Sequence, residues 1–487
     1  MANKQFKYLV GDFETTVYSG QENTEVWASA IVEMGTENVQ IFHSIGETWK
    51  YLKSLNSNLI VYYHNLKFDG SFWLYYFMYE LKLTQAIDKL SDLQYDLRFK
   101  KASKMLSNTY SYSISDRGQW YSIKVMIGRH LIEFRDSLKL LPFSVRKLGK
   151  DFKTKHQKLD MEYSGYRYAG CTITPEEQKY IANDVLVVKE ALEIMFANGH
   201  TSLTIGSCCL AEYKNLIGDK KLYDELFPNV YNFYISPNEF ECSNAGDYIH
   251  KSYKGGWCYV VPEKTNKIFT NGITADVNSL YPSVMHSESG NRYPCGLPKF
   301  WKGNFIPDIA LEDDKYFFVH IKCRFKIKEN MLPFIQIKGS HYYRGTEMLT
   351  TSDFTDKKSG LKYRYMKMAD GTIKDSIVDL TLTCTDYYLF LEHYDVYDFE
   401  IVDGCYFNTK IGLFDNYINK YREIKTHSKG AVRQIAKLFL NNLYGKMASS
   451  RDSSFKYAYL KEVYENVVNY GVHKTPFSLL MQDEAPY

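Results

Sequence analysis

The chain has 487 residues, is 45% hydrophobic and 24% charged, and carries a formal charge of +3. These figures exclude a disordered chain, leave room for roughly three domains, and are too nearly neutral for a nucleic-acid footprint spread over the whole surface. The opening "MANKQFKYLV" has no apolar segment behind its charged start, and no later apolar run is long enough to span a bilayer; a soluble, unsecreted protein with no membrane partner is expected.

The first predicted element is the strand "KYLV" running into "GDFETT". Side chains two apart on a strand share a face, so Asp12 and Glu14 project together. Two adjacent carboxylates repel, and become favourable when divalent cations sit between them; a solvated strand end carrying two charges is the alternative. A second strand is predicted over 58–63, followed by a polar turn at "HNLKFDG" and a helix-like aromatic run. Asp69 is expected at that turn. His64 and Asn65 offer hydrogen bonds there and Phe68 a ring for stacking, although each also fits turn chemistry or core packing. A third strand, in "HLIEFRDSLKLLPFSV", precedes a basic run with Arg146, Lys147, Lys150, Lys153, Lys155 and Lys158, most of which reads as a solvated face. In "TITPEEQKYIANDV", Thr174, Pro175 and Glu177 spell a capped helix start, and Tyr180 and Asp184, four apart, share a face of that helix. A phenol and a carboxylate aimed at one site would supply a group that positions water and a fourth metal ligand. Nine scattered cysteines without a Cys-x-x-Cys pair point to a reducing compartment and away from zinc, and 43 Tyr and 29 Phe give many rings on which unpaired bases stack, though most aromatics pack in cores.

Asp12, Glu14, Asp69 and Asp184, with Tyr180 one turn before the last, resemble the acids and tyrosine of the DEDD-type 3′–5′ exonucleases. "HNLKFDG", "SLKLLPF" and "ITPEE…YIANDV", in that order, resemble the exonuclease domain of protein-primed family B DNA polymerases of small bacteriophages and linear plasmids. The resemblance implies that the four acids hold two Mg²⁺ or Mn²⁺ ions, that Tyr180 and Lys158 assist at the attacked phosphate, and that Thr15, His64, Asn65, Phe68, Ser137 and Leu138 cradle a single-stranded 3′ end.

Farther along, the two glycines of "SYKGGWCYVV" make a loop that backbone or ligand can approach closely. The string resembles the Tyr-x-Gly-Gly segment of the family, which implies template contacts for Tyr253, Gly255 and Gly256. "GITADVNSLYPSVM" is predicted as a buried strand ending at Asp276 and turning at Pro282; it resembles the first palm motif. That implies metal binding at Asp276 and Val277, and a Tyr281 ring set against a ribose 2′-hydroxyl. "SKGAVRQIAKLFLNNLYGKMAS" is predicted as a helix with Arg433, Lys437, Asn441 and Tyr444 on one polar face and Ile435, Leu438, Phe439 and Leu443 packed elsewhere. It resembles the fingers motif, which implies nucleotide binding by Lys437, Asn441 and Tyr444 and, more weakly, by Lys425 and Arg433. Asn442 stands where many relatives have serine.

The fold expected is α/β: a ribonuclease H-like 3′–5′ exonuclease domain at 1–205, then an incomplete right-hand polymerase. Its parts are a linker and first palm segment at 206–288, a palm insertion resembling the terminal-protein region at 289–385, palm at 386–410, fingers at 411–450, and a second insertion at 451–487. The second palm acid hairpin of the family is not present. The chain thus reads as truncated, as incomplete, or as one part of a split polymerase completed by a separate C-terminal segment. The function implied is DNA-directed DNA polymerase with proofreading in replication, in a host cytoplasm. Its partners would be a single-stranded 3′ end, primer-template DNA, deoxynucleoside triphosphates and a priming terminal protein. A metal-dependent exonuclease without synthesis, and a non-catalytic remnant that binds DNA or terminal protein, are the alternatives.

Overall fold

The computed structural model describes residues 5–16, 24–89, 97–115, 118–161, 166–253, 261–335, 365–367, 373–375 and 378–449. They form two compact units, Met1–Glu212 together with the chain from Asn419 onward, and Tyr213–Ile418. Gly255 and Gly256 lie outside the described residues.

The first unit is built on a mixed sheet. Its strands are β1 (Phe6–Thr15), β2 (Val26–Glu33), β3 (Val39–Phe42), β4 (Asn58–Tyr63), β5 (Thr84–Gln85), β6 (Thr109–Ile114), β7 (Trp120–Ile127) and β8 (His130–Asp136), in the order β3-β2-β1-β4-β8-β7-β6-β5. β1 and β8 both run parallel to the central β4, so all three deliver their C-terminal ends to one edge of the sheet. β1 does not stop before the acids. It runs through them, with Asp12 opposite Ala30 and Glu14 opposite Ala28 on β2.

The period of two along β1 sorts its residues between layers. Leu9 and Phe13 enter a core with Trp49, Tyr63, Trp73, Phe77 and Phe134, which packs helices α1 (Ile45–Ser54) and α2 (Leu66–Tyr75) on one face. Tyr8 faces the other way, edge-on at 5.5 Å to Phe196 of α4 (Pro175–Ala197), the helix that follows α3 (Val145–Phe152). The small side chains of Ala28 and Ala30, both fully buried, leave room for α4 to lie against that face beside Asp12 and Glu14. The result is three layers, with the acids of β1 turned toward α4.

Helix α4 begins as its sequence dictates. The Thr174 hydroxyl accepts from the Glu177 backbone N–H at 3.3 Å, the Glu177 carboxylate accepts from the Thr174 N–H at 2.8 Å, and Pro175 occupies the first turn. Asp69 differs from expectation: it sits in the first turn of α2 rather than in the preceding bend. The helix starts early because Asn65 adopts a left-handed conformation (φ 73°, ψ 59°) that turns the chain directly out of β4.

The second unit holds an antiparallel sheet of β9 (Tyr293–Lys302), β10 (Lys315–Ile327), β11 (Val378–Thr383) and β12 (Tyr394–Lys410), in the order β9-β12-β10-β11. β12 pairs with strands drawn from before residue 385, so palm and expected insertion share one sheet. The strand expected before Asp276 is not formed: residues 271–277 are exposed and carry no ladder, and the chain enters a short helix, Leu280–Met285, that includes Pro282. A strand exists only where a neighbour takes its backbone hydrogen bonds, and no described strand pairs with this segment. Among the described residues no helix is long and apolar enough to cross a membrane.

Candidate active site

At the C-terminal edge of the central strands, a cleft of about 260 Å³ is lined by Asp12, Glu14, His64, Asn65, Phe68, Asp69, Lys158, Tyr180 and Asp184. Carboxylate oxygens of Asp12, Glu14 and Asp184 all lie within 4.8 Å of one another. Asp69 reaches the cleft from the opposite layer. It is buried and accepts the Phe13 N–H at 3.1 Å, in the middle of the strand that carries the other two acids.

Four carboxylates so placed disfavour one another's charge. Burial, then the charges of Asp69, Glu14 and Asp184, push the Asp12 carboxyl well above the usual carboxylate range. Burial also raises Asp69, against the opposing hydrogen bond from Phe13, and raises Asp184, against Lys158. Among the described residues, none donates a hydrogen bond to the buried Oδ1 of Asp184. A convergent set of hard oxygen donors with an unsatisfied buried acceptor fits divalent cations of the Mg²⁺ class.

Among the described residues, Lys158 is the one cation in the lining. Its ammonium bonds to Asp184 Oδ2, and to the Tyr180 hydroxyl at 3.1 Å. Burial alone would lower the Lys158 pKa, but the hydrogen bond and charge of Asp184 outweigh it and raise it. Burial holds the Tyr180 phenol above its ordinary value, so it stays a donor at neutral pH.

The loop that delivers Lys158 is docked along α4 by residues that the sequence reading missed. The Glu190 carboxylate accepts from the His156 backbone N–H at 3.1 Å and from its ring Nδ1 at 2.5 Å. Asn183 donates to the Gln157 carbonyl at 2.8 Å, and Gln157 donates to the Gly149 carbonyl at 3.1 Å. Asn183 and Glu190 are seven residues apart, two turns along one stripe of the helix that also presents Tyr180 and Asp184. That seven-residue spacing is the signal that could have found them.

The other wall is fixed by Asp136, also missed. Its buried Oδ1 accepts from the backbone N–H groups of Asn65 at 3.1 Å, Leu66 at 3.3 Å and Leu138 at 2.9 Å, tying the two bends that border the cleft. An Asp at a strand end with Ser next is a local turn signature. The His64 and Ser137 side chains bond within this wall. The His64 ring nitrogens contact Ser137 Oγ at 2.9 Å and the Phe143 carbonyl at 2.6 Å, and Ser137 is fully buried, donating to the Tyr63 carbonyl at 3.1 Å. Burial lowers the His64 pKa. These bonds hold both side chains in the wall, and His64 also lines the cleft. Leu138 and Thr15 are half-buried, while Asn65 is exposed and Phe68 is 42% exposed at the mouth.

Residues 51–171 and 167–475 match the family described as DNA polymerase type B, organellar and viral. The chain belongs to the type B DNA polymerases. It is 35% identical over 469 residues to a DNA polymerase of Bacillus phage Nf, covering 95% of this chain and 71% of the relative. Among solved structures, Phi29 DNA polymerase complexed with primer-template DNA and incoming nucleotide substrates matches with a TM-score of 0.72 at 34% identity, over 94% of this chain and 71% of that one. The same polymerase complexed with single-stranded DNA matches with a TM-score of 0.71 at 33% identity, over 94% and 70%. The α/β architecture is thus that of an exonuclease domain joined to palm and fingers.

For a type B polymerase the remaining residues of interest lie elsewhere. Arg433, Lys437 and Asn441 are exposed and Tyr444 is half-buried on the helix Gly430–Met447, whose Ile435, Leu438, Phe439 and Leu443 are buried. Asn442 turns its amide back to the Leu438 carbonyl at 2.8 Å, so the departure from serine is absorbed within the helix. Lys425 is half-buried on the preceding helix, Asp415–His427. Asp276 is exposed, with Val277 at 60% and Tyr281 at 41% exposure, and among the described residues Asp276 joins no metal-binding cluster. Tyr253 is exposed and stacks on His250 at 5.7 Å.

Proposed function

We propose that the cleft is a 3′–5′ exonuclease site serving this type B DNA polymerase, and that Asp12, Glu14, Asp69 and Asp184 hold two Mg²⁺ or Mn²⁺ ions there. The convergence of three carboxylates from β1 and α4, with Asp69 behind them, carries the reading. Bound divalent ions would lower the pKa of a water and neutralise charge on the leaving oxygen. The protein's own groups do the rest. Tyr180, kept protonated and held by Lys158, donates a hydrogen bond that orients the attacking water. Lys158 presents its charge to the phosphate, and Asp184 holds that ammonium in place. Asn65 and Phe68, with His64 in the cleft lining, offer polar groups and a ring to the last unpaired nucleotides, and Thr15, Ser137 and Leu138 are proposed to complete that contact.

On the polymerase side the proposed roles are nucleotide binding at Arg433, Lys437, Asn441 and Tyr444 with Lys425, metal binding at Asp276 and Val277, ribose exclusion at Tyr281, and template contact at Tyr253 with Gly255 and Gly256. Exposed cations along one helix face suit a triphosphate. Primer-template DNA and nucleotides are the ligands printed for the solved Phi29 polymerase; we extend them to this chain, together with a priming terminal protein at residues 289–385 and action in the host cytoplasm.

Two experiments follow. A primer with a mispaired 3′ terminus should be trimmed faster than a paired one, in Mg²⁺ and not in EDTA, because an unpaired end enters the cleft without melting cost. Equal trimming of both, or trimming in EDTA, would count against the reading. Phe68→Ala should weaken single-strand binding by ~1–3 kcal/mol with little change in stability, since the ring packs on Phe72 with centroids 5.6 Å apart but stays exposed at the cleft mouth. A lowered denaturation midpoint with binding per folded molecule unaltered would make Phe68 a packing residue.

A further inference from the structure

We infer that Tyr166 and Tyr168 form a second base-stacking platform, outside the cleft, that takes an unpaired nucleotide upstream of the 3′ end; the inference rests on the exonuclease reading of the cleft. Both rings are exposed, at 60% and 49%, and they stack on each other with centroids 5.7 Å apart and planes 29° from parallel. Single surface tyrosines are ordinary, but a stacked pair held out from a fixed backbone is a preformed aromatic surface.

The backbone beneath the pair is fixed by the residue between them. Arg167 turns inward: its guanidinium Nε donates to Glu177 Oε1 at 2.8 Å and lies 5.4 Å from the centre of the Trp27 ring. Just beyond, the Ala169 N–H donates to Glu25 at 3.0 Å and the Gly170 N–H to the His43 carbonyl at 2.8 Å. Arg167 also sets the location. Glu177 is one turn before Tyr180 on α4, and Trp27 donates to the carbonyl of Thr15, the residue after Glu14. The backbone between the two tyrosines is therefore anchored to the start of α4, which carries Tyr180, and through Trp27 to the end of β1, which carries Glu14. Its chemistry selects a base over a phosphate, because the only cation in the segment is consumed by Glu177 and Trp27 and the outward groups are neutral flat rings.

The test measures binding and turnover separately. Fluorescence anisotropy of a 5′-labelled 12-nucleotide single strand in EDTA should give a Kd about tenfold weaker for Tyr166→Ala/Tyr168→Ala than for the wild type, while Tyr166→Phe/Tyr168→Phe binds as the wild type does. In Mg²⁺, the alanine pair should raise KM for the 12-mer about tenfold with kcat within twofold, and leave a trinucleotide unaffected. A single abasic site at one upstream position should cost the wild type a similar factor and cost the alanine pair nothing further. Unchanged Kd in the alanine pair, or an equal loss on the trinucleotide, would overturn the platform. Failure of the wild type to degrade either substrate would instead overturn the exonuclease reading, with the anisotropy result still deciding whether the rings bind bases.

Discussion

Asp184→Ala and Asp12→Ala should each slow removal of 3′ nucleotides from single-stranded DNA by ~10³ or more, the equivalent of about 4 kcal/mol of lost transition-state stabilisation. Each removes one of three converging oxygen donors, and Asp184→Ala also releases Lys158 from its ion pair. Initial rates on a labelled oligonucleotide decide the matter, and a near-normal rate in either variant would place the chemistry elsewhere. A stability measurement separates loss of the site from loss of the fold. Asp12 has a raised pKa in the folded protein, so the folded state keeps its proton at pH values where the unfolded chain has released it. Its contribution to stability therefore falls as pH rises from the unfolded value toward the folded one. Asp12→Asn removes that penalty, so in EDTA at pH 7 it should melt above the wild type, with the gap closing on acidification through the carboxylate range. Added Mg²⁺ should stabilise the wild type and leave the variant nearly unmoved.

Gly11→Ala is the second large effect, at a residue with no chemistry of its own. A Cβ built on Gly11 would lie 2.7 Å from Ile31 Cδ1 and 2.7 Å from Tyr63 Cζ, both in the buried core. Neither neighbour is the loose end of a surface side chain, so β1 itself must shift, and the next residue is Asp12. Overpacking of this kind costs ~1–3 kcal/mol, and displacing a reacting group by about 1 Å costs ~10²-fold in rate. The variant should thus fold with reduced stability and lose far more activity than stability, as read by denaturant titration beside single-turnover hydrolysis. Full activity in a destabilised protein would show that β1 absorbs the methyl without moving Asp12.

What was legible in the sequence was local. Asp12 and Glu14 share a face because strands have a period of two, Tyr180 and Asp184 because helices put residues four apart together, and the Thr174–Glu177 capping box needs only four consecutive residues. Strand β4 announced itself as an apolar run ending at a polar bend. What was not legible depended on partners distant in sequence. The Asp69 turn became a helix start through one left-handed residue. That His64 and Ser137 bond to one another and to the Phe143 and Tyr63 carbonyls depends on residues more than seventy positions away. Gly11 looked like any glycine before Tyr63 lay across it. The segment ending at Asp276 read as a strand by its apolar residues, yet pairing decides strands, and its composition says nothing about a neighbour.

The polarity of hydrolysis at this cleft separates a 3′–5′ exonuclease from every other nuclease. The same single-stranded oligonucleotide, labelled at its 5′ end in one sample and its 3′ end in another, is incubated with the chain and Mg²⁺ and sampled from the first turnover. The expected result is a descending ladder from the 5′ label and immediate release of labelled mononucleotide from the 3′ label, both abolished in Asp12→Ala. Release of the 5′ label first, internal fragments, or an undiminished ladder in Asp12→Ala would contradict it.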